Sequence, residues 1–452
     1  MKKPIGMPSS GSAIKTIRNL SKDTLGAFGD YQAAHGDMYW LNVGPESGVV
    51  ITNPNLAKIV LQTEQRKFHK GRIYHNFLTL LTGNSIFSTE EEEWKRNRKV
   101  VQPAFHKTYL DTIFTTIFTE IEQHLNDLAQ KSGKTVDWNK EMVNLTLSVV
   151  AQSIMGVEVK MDMNHLYRTM ESILHHIILL WRNPFYRMTQ GLTGAKAKVA
   201  RDIKFMDDVI YGYIQKRQET GNEGKFDLLA MLLESHYEDT GEKLPLSQVR
   251  DEAISIFLAG HETSANAMVW ALTILQDHPD VVEKVRQEYD LMIGSSQPTM
   301  EKIMRLRYTR QVVDECMRLK PSVWSISRNA QVPINLGGYD IAPGTDVSID
   351  IYHIHRHPAF WENPEKFDPD RFGPQRSKEL HRHAFLPFGG GPRMCVGNNF
   401  AYVEMMAILG MFLSRFDFQL VDSDHPAEPS VTLRPVGEVQ VRITERNRKA
   451  QY

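Results

Sequence analysis

The sequence predicts a mainly helical chain with a smaller β part, an α+β arrangement. Three observations carry that expectation. Apolar residues recur three and four apart from about Leu110 to Lys216, the period of a helix face. A second stretch runs without a breaker from Ser247 to Asp277, roughly 30 residues or about 45 Å of helix. Short aliphatic and aromatic runs lie towards the two ends, at Met38 to Val43, Val49 to Thr52 and Phe416 to Ile443, and read as strands.

Composition narrows the class. The 452 residues are 41% apolar and 24% charged, enough for a large core. A net charge of −1 gives no pointer to nucleic acid. Cys316 and Cys395 are the only cysteines, so there is no disulfide framework, which suits a reducing compartment. The first sixty residues hold no run near the ~18 apolar residues that span a bilayer. No apolar segment follows Lys2 and Lys3 as it would in a secretory signal.

Taken in order, Gly44 to Gly48 turns between the first two strands and makes them a hairpin, and Pro54 opens a helix. Glu90 to Glu93 precede Trp94 and complement the dipole of the helix they start. Trp94 and Arg98 lie four apart and share a face of that helix, which alone fits a solvated arginine beside a packed tryptophan. Asn183-Pro184 and Gly191 to Gly194 interrupt the long helical region. The neighbours His175 and His176 point about 100° apart on a helix and read as packing residues. Ser247 is the expected N-cap of the long helix, with Asp251 and Glu252 in its next turn.

That helix is apolar on nearly all sides through Ile254 to Leu258, so it should cross the interior. At its middle stands Ala259-Gly260-His261-Glu262-Thr263-Ser264. A glycine, an acid and a hydroxyl are each costly inside a buried helix. One reading is a kinked core helix whose polar groups are satisfied by water. The other is a functional opening of the ladder at Gly260 and Thr263. Tyr308 to Lys320 is a further helix, ended by Pro321, with Glu315 and Arg318 on one face. Cys316 there reads as a small packed side chain. His353, His355 and His357 alternate, and in a strand would share one face. Near the C-terminus, Phe388-Gly-Gly-Gly-Pro-Arg393-Met-Cys395-Val-Gly397 places one cysteine in a glycine-rich loop before a long apolar helix. Glycines there allow close approach to a flat ligand, and the helix start lends a thiolate positive charge.

This last loop resembles the haem-binding loop of the cytochromes P450, matching each fixed position of Phe-x-x-Gly-x-Arg-x-Cys-x-Gly. The resemblance runs from about Gly36 to Ile443, residues 36–443. It implies the cytochrome P450 fold over a single haem domain, 1–452, with a long central helix over a haem and a small N-terminal sheet. It implies that Cys395 is the axial metal ligand of haem b, a ligation that favours O–O cleavage. Trp94, Arg98, Arg328, Arg393, Phe388, Gly397 and Ala259 are then cofactor-binding. Gly260, Glu262 and Thr263 match the oxygen-activation motif, with Thr263 bonding O2 and Glu262 relaying protons. Pro364 to Phe372 resembles the segment that carries the third member of a structural ion network, here Glu315, Arg318 and Arg371. The strand through Arg328 runs along the haem edge in relatives, with Val323 facing substrate; Ser85, Phe87 and Leu433 are the other substrate contacts. His355-Arg356-x-Pro358 is a common segment of the family, which removes the need for a metal at the three histidines.

The function implied is monooxygenation: insertion of one oxygen atom from O2 into a C–H bond of a fatty-acid-like or terpenoid-like substrate. An alternative is oxidative O-demethylation of a methyl ether such as a methylated sugar, with release of formaldehyde. A peroxide-driven enzyme or a haem carrier or gas sensor would not need the intact Glu262-Thr263 pair. Electrons come from NAD(P)H through separate partners, a ferredoxin with its reductase or a flavodoxin, since no stretch remains for a fused reductase. Lys95, Arg96, Lys99 and Lys107 are the expected docking cations. The chain is expected to be a cytoplasmic monomer of the bacterial type, without nucleic-acid partner or membrane anchor.

Overall fold

The computed structural model describes residues 2–156, 163–222, 227–294, 296–422 and 424–446. The chain forms two compact units, each built from two separate stretches: Met1–Asn76 with Asp314–Cys395, and Phe77–Val313 with Val396–Tyr452.

The first unit is organised around a five-stranded sheet. Its order is Met38–Leu41, Gly48–Ile51, Asp346–Asp350, Ser325–Ala330 and Phe68–Lys70. The first two strands form the expected hairpin, with Trp40 opposite Val49. The first ends two residues earlier than its apolar run suggests, because a helical turn at Gly44–Glu46 takes over the connection; the second starts and ends one residue earlier than its run. Gly48–Ile51 pairs in parallel with Asp346–Asp350, a strand almost 300 residues on, which stitches the two stretches of this unit together. Trp40, Val49, Ile51, Val60, Phe68, Val347, Ile349 and Leu386 share one buried cluster. On the other side of the chain order, Val323 stands in a bend before the strand Ser325–Ala330 rather than within it. His353 belongs to a helical turn, Ile351–Ile354, so the three alternating histidines do not lie along a strand.

The second unit is mostly helical. Its long elements are Lys107–Ala129, Trp138–Met155, Met163–Arg182, Ala195–Thr220, the central helix Leu246–Leu275 and the C-terminal helix Asn398–Arg415. The helical region after Leu110 is broken by a short strand, Thr135–Asp137, which pairs with Gln440–Glu445. Pairing with a distant strand overrides the local preference there. The central helix has 30 residues, but its N-cap is Pro245, and Ser247 makes no cap hydrogen bond. Proline fixes the extended entry (φ −60°, ψ 146°), so the cap falls two residues before the serine and the helix starts at Leu246. No helix among the described residues is long and apolar enough to cross a membrane.

The central helix packs closely on Trp138–Met155. A Cβ on Gly260 would lie 2.9 Å from a Val150 methyl, so only glycine lets the two helices approach this far. Thr146 donates to the His261 carbonyl at 2.9 Å, and Trp138 reaches the Met268 carbonyl at 3.4 Å. Trp270 donates to the Leu433 carbonyl at 2.9 Å. These bonds satisfy the Thr146 hydroxyl and the two indole N–H groups, which burial would otherwise leave costly.

Candidate functional site: a thiolate loop and a polar segment in a buried helix

In the first unit, the loop before Cys395 is held at both ends. Leu386 O accepts the Gly389 N–H at 3.0 Å, and Phe388 O accepts the Cys395 N–H at 3.0 Å. Gly391, at φ +71°, is pressed against the Leu61 carbonyl oxygen, which a Cβ would meet at 1.8 Å. The glycine pattern is therefore a packing requirement as well as a turn requirement. Phe388 and Arg393 are half-buried, and the Cys395 thiol is exposed. Cys316 is buried, and burial pushes its thiol pKa up, leaving it an inert packed group.

Behind the loop, Glu315, Arg318 and Arg371 meet in a region closed to solvent. Arg318 grips both Glu315 oxygens, at 2.6 and 2.8 Å, and Arg371 Nε lies 3.4 Å from Glu315 without good hydrogen-bond alignment. Arg371 is anchored by the Asn363 carbonyl at 2.9 Å instead. Arg328 is buried on its strand, paired in register with Lys70 and Val347, and donates to Ser327 O. The three histidines each have a separate task. His353 contacts Asp350 at 2.7 Å and His357 contacts Asp37 at 2.9 Å, while His355 is wholly buried. Among the described residues no group of three or more histidine, cysteine or acidic side chains could hold a metal ion.

In the second unit, the central helix is buried over Glu252–Phe257 and again from Ser264 to Leu272, yet Leu258, Ala259, Gly260, Glu262 and Thr263 remain half-buried. Helical geometry continues through this segment, so the expected gap in the ladder is replaced by a closed contact. Thr263 Oγ1 donates back to Ala259 O at 2.8 Å. Glu262 points the other way and accepts from Thr432 Oγ1 at 2.6 Å, while Asn266 donates to the same Thr432 hydroxyl at 3.0 Å. Sequence reading missed the pairing of Asn266 and Thr432 with Glu262. The four-residue spacing of Glu262 and Asn266 placed them on one face, but nothing local pointed to Thr432, 170 residues away. His261 is buried with Nδ1 on Phe257 O, and burial lowers its pKa despite the charge of neighbouring Glu262.

Ser85 has no exposed surface and bonds Ser255 of the central helix at 2.7 Å. Its loop is clamped there: Asn84 N–H goes to Asp251, and Ile86 N–H to both oxygens of Glu252. Phe87 stays half-buried. Leu433 is completely buried against the central helix, whereas its neighbours Ser430, Val431 and Arg434 line a cavity of about 530 Å3. That cavity also reaches Arg168, Glu171, Lys198 and Glu262. Trp94 and Arg98 are half-buried on the helix Glu91–Val101, and Arg98 Nε donates to Gln102. The basic residues nearby are not a bare cationic face: Arg96 pairs with Asp239 at 3.0 Å, Lys99 with Glu238 at 2.7 Å and Lys95 with Glu92 at 2.5 Å. Acids brought in by the distant 237–239 segment neutralise charges that look free in the sequence.

Within the first unit the residues present fit a haem ligand: the Cys395 thiol is exposed on a glycine loop pinned from behind. Soft thiolate suits iron in such a cofactor. The cytochrome P450 family profile matches residues 2–441, and the chain belongs to that family. It is a haem-thiolate monooxygenase, an oxidoreductase that uses haem, O2, a small-molecule substrate and electrons from redox partner proteins. Among its relatives, LUTEIN DEFICIENT 5 of Arabidopsis thaliana is 28% identical, over 92% of this chain and 73% of that protein. Cyclooctatin synthase of Streptomyces melanosporofaciens is 29% identical over 96% and 91%, and pentalenene oxygenase of Streptomyces avermitilis 27% over 89% and 87%. The crystal structure of a mutant cytochrome P450DA heme domain superposes with a TM-score of 0.89, at 25% identity and 98% coverage of both chains.

Proposed function

We propose that this monooxygenase hydroxylates a compact, largely apolar substrate of terpenoid or fatty-acid type. The observation that carries the chemistry is the accessible Glu262-Thr263 pair within a buried helix. The two Streptomyces relatives, named for terpenoid chemistry, support the substrate class. In this reading Cys395 ligates the iron of haem b. Trp94, Arg98, Arg328 and Arg393 hold its propionates, and Phe388, Gly397 and Ala259 border it. Bound haem supplies O2 activation and attack on the C–H bond. Glu262 takes a proton at its carboxylate and passes it on through water. Thr263 Oγ1, released from Ala259 O by rotation about χ1, donates a hydrogen bond towards dioxygen. Val323 and Phe87 contact substrate; Ser85 and Leu433 support the surface from behind. Glu315, Arg318 and Arg371 hold the thiolate loop in place. The chain works as one haem domain and a monomer, drawing electrons from NAD(P)H through a ferredoxin and its reductase or a flavodoxin. Two cysteines, too few for a disulfide framework, suit a reducing cytoplasm.

The charged cavity favours a second reading, oxidative O-demethylation. Arg168, Glu171, Lys198, Glu262 and Arg434 offer hydrogen-bonding groups that a hydrocarbon does not use. A methylated sugar would use them; hydroxylation of its methyl ether gives a hemiacetal that collapses to an alcohol and formaldehyde. A screen of Soret shifts across terpenoids, fatty acids and methyl sugars chooses between the readings. With the best binder, Thr263→Ala should keep substrate affinity and NAD(P)H consumption. Product per NAD(P)H should fall about tenfold as hydrogen peroxide rises. Coupling equal to wild type would show that Thr263 only fills a helix turn.

A further inference from the structure

The loop that presents Cys395 is joined to the buried Glu315–Arg318 pair through the His355 side chain. His355 has no exposed surface, and both of its ring nitrogens are engaged. Its Nε2 receives the backbone N–H of Leu386 at 2.8 Å. An amide N–H only donates, so this nitrogen carries no proton, and the ring is the neutral tautomer with its proton on Nδ1. Nδ1 then donates to the Arg318 carbonyl at 3.2 Å. In return, Arg318 Nη1 donates to the His355 carbonyl at 2.9 Å, so the two residues clasp each other from both sides. Arg318 is itself fixed by Glu315 and by the Pro364 and Lys366 carbonyls. On the far side, Leu386 starts the turn that leads through Gly389 to the Cys395 N–H on Phe388 O.

We propose that His355 is a positioning residue for the thiolate: its Nε2 lone pair fixes the Leu386 amide, and with it the start of the 386–395 loop, relative to the buried Glu315–Arg318 pair. The inference rests on the reading of Cys395 as the haem ligand. Two features support a directional role over simple packing. First, a phenyl ring of similar shape would fill the space, yet it would strand the Leu386 N–H and the Arg318 carbonyl, both in a closed region. Second, the burial of the ring, and after it the cations Arg318 and Arg356, hold His355 neutral, the state in which Nε2 accepts. The Phe385 ring, 5.3 Å away, keeps the imidazole from turning freely.

Three holoprotein variants separate the acceptor from the bulk of the ring. In His355→Gln the side-chain carbonyl reaches the Nε2 position and preserves the bond to Leu386. In His355→Asn the shorter amide reaches only the Nδ1 position. His355→Phe removes both bonds. Two readouts apply: hydrogen exchange in the 384–390 segment, and the share of the reduced CO complex that shows the red-shifted Soret band of thiolate-ligated haem. The proposal expects wild-type behaviour in Gln. In Asn and Phe it expects exchange roughly fivefold faster or more, matching a lost hydrogen bond, and a reduced share of the thiolate band. Wild-type values in Asn or Phe would overturn the proposal, as would equal losses in all three variants, which would make ring packing the cause. If Phe does not fold, the contrast between Gln and Asn decides alone. Absence of the thiolate band in wild type would refute the ligand assignment instead, while the exchange measurement would still test the latch.

Discussion

Glu404 sits in the middle of the C-terminal helix with no exposed surface, and neither carboxyl oxygen meets a partner in hydrogen-bond geometry. Burial pushes its pKa up to about 8; the Ser264 hydroxyl of the central helix pulls the other way but aligns with neither oxygen, so burial wins. The fold therefore keeps this group as a neutral acid well past the ordinary carboxylate range. An unfolded chain ionises it near 4.5. The direction of the linkage follows: the stabilisation is fully present below pH about 4.5 and is lost as pH rises through about 8, because the unfolded state gives up its proton first. At about 1.36 kcal/mol per pH unit, the distance between those two values is worth on the order of 5 kcal/mol. That is a large part of the roughly 5–15 kcal/mol that holds a typical domain together.

Glu404→Gln tests this directly. The amide has nearly the same shape, cannot ionise, and carries a polar cost that does not change with pH. Urea unfolding midpoints should be measured from pH 5 to pH 9 in both proteins. Every other titrating group cancels in the difference. The variant should gain on wild type steadily up to about pH 8 and level off above it, by several kcal/mol in total. Parallel profiles would refute the reasoning and mean that water or a rearranged partner stabilises the charged carboxylate.

Two substitutions probe the supports of the two halves of the chemistry. Glu315→Ala strands Arg318 and Arg371 in a closed region and should cost about 3–5 kcal/mol in urea unfolding, with lower haem content on purification; a loss under 1 kcal/mol would mean that the backbone carbonyls alone satisfy the guanidinium groups. Gly260→Ala gains up to about 1 kcal/mol of helix propensity but sets a methyl 2.9 Å from the short, stiff Val150 side chain. Overpacking of that kind costs roughly 1–3 kcal/mol, so a net loss of thermal stability is expected, and a gain would show that the two helices are free to separate.

What could be read from the sequence divides along the range of the interactions. The Cys395 loop, the Glu262-Thr263 segment and the Glu315/Arg318 spacing are patterns legible within ten residues, whereas the partners that fix Glu262 and Arg318, Thr432 and the His355, Pro364 and Lys366 carbonyls, come from other segments. The boundary of the central helix was misplaced because a serine is a good cap in general, while the fixed φ of Pro245 decides this particular start. Ser85 looked like a loop residue open to ligand; its hydroxyl is taken by Ser255, and only the fold brings them together. The basic run after Trp94 looked like a docking face until Glu238 and Asp239 came to lie against it from some 140 residues away.

His355 and Glu404 sharpen the point, because both look unremarkable as letters. The first sits in a segment that the family commonly carries, with histidines alternating as on a strand; the second is one acid in an otherwise apolar helix. Their importance comes from what surrounds them: a backbone N–H and a carbonyl delivered to opposite sides of one ring, and a carboxyl left without a partner. A pattern of residue types along the chain records which atoms are available, whereas the protonation state of a buried group is fixed by atoms from other segments. The placement of the thiolate loop therefore depends on a tautomer, which no reading of the chain one residue at a time could supply.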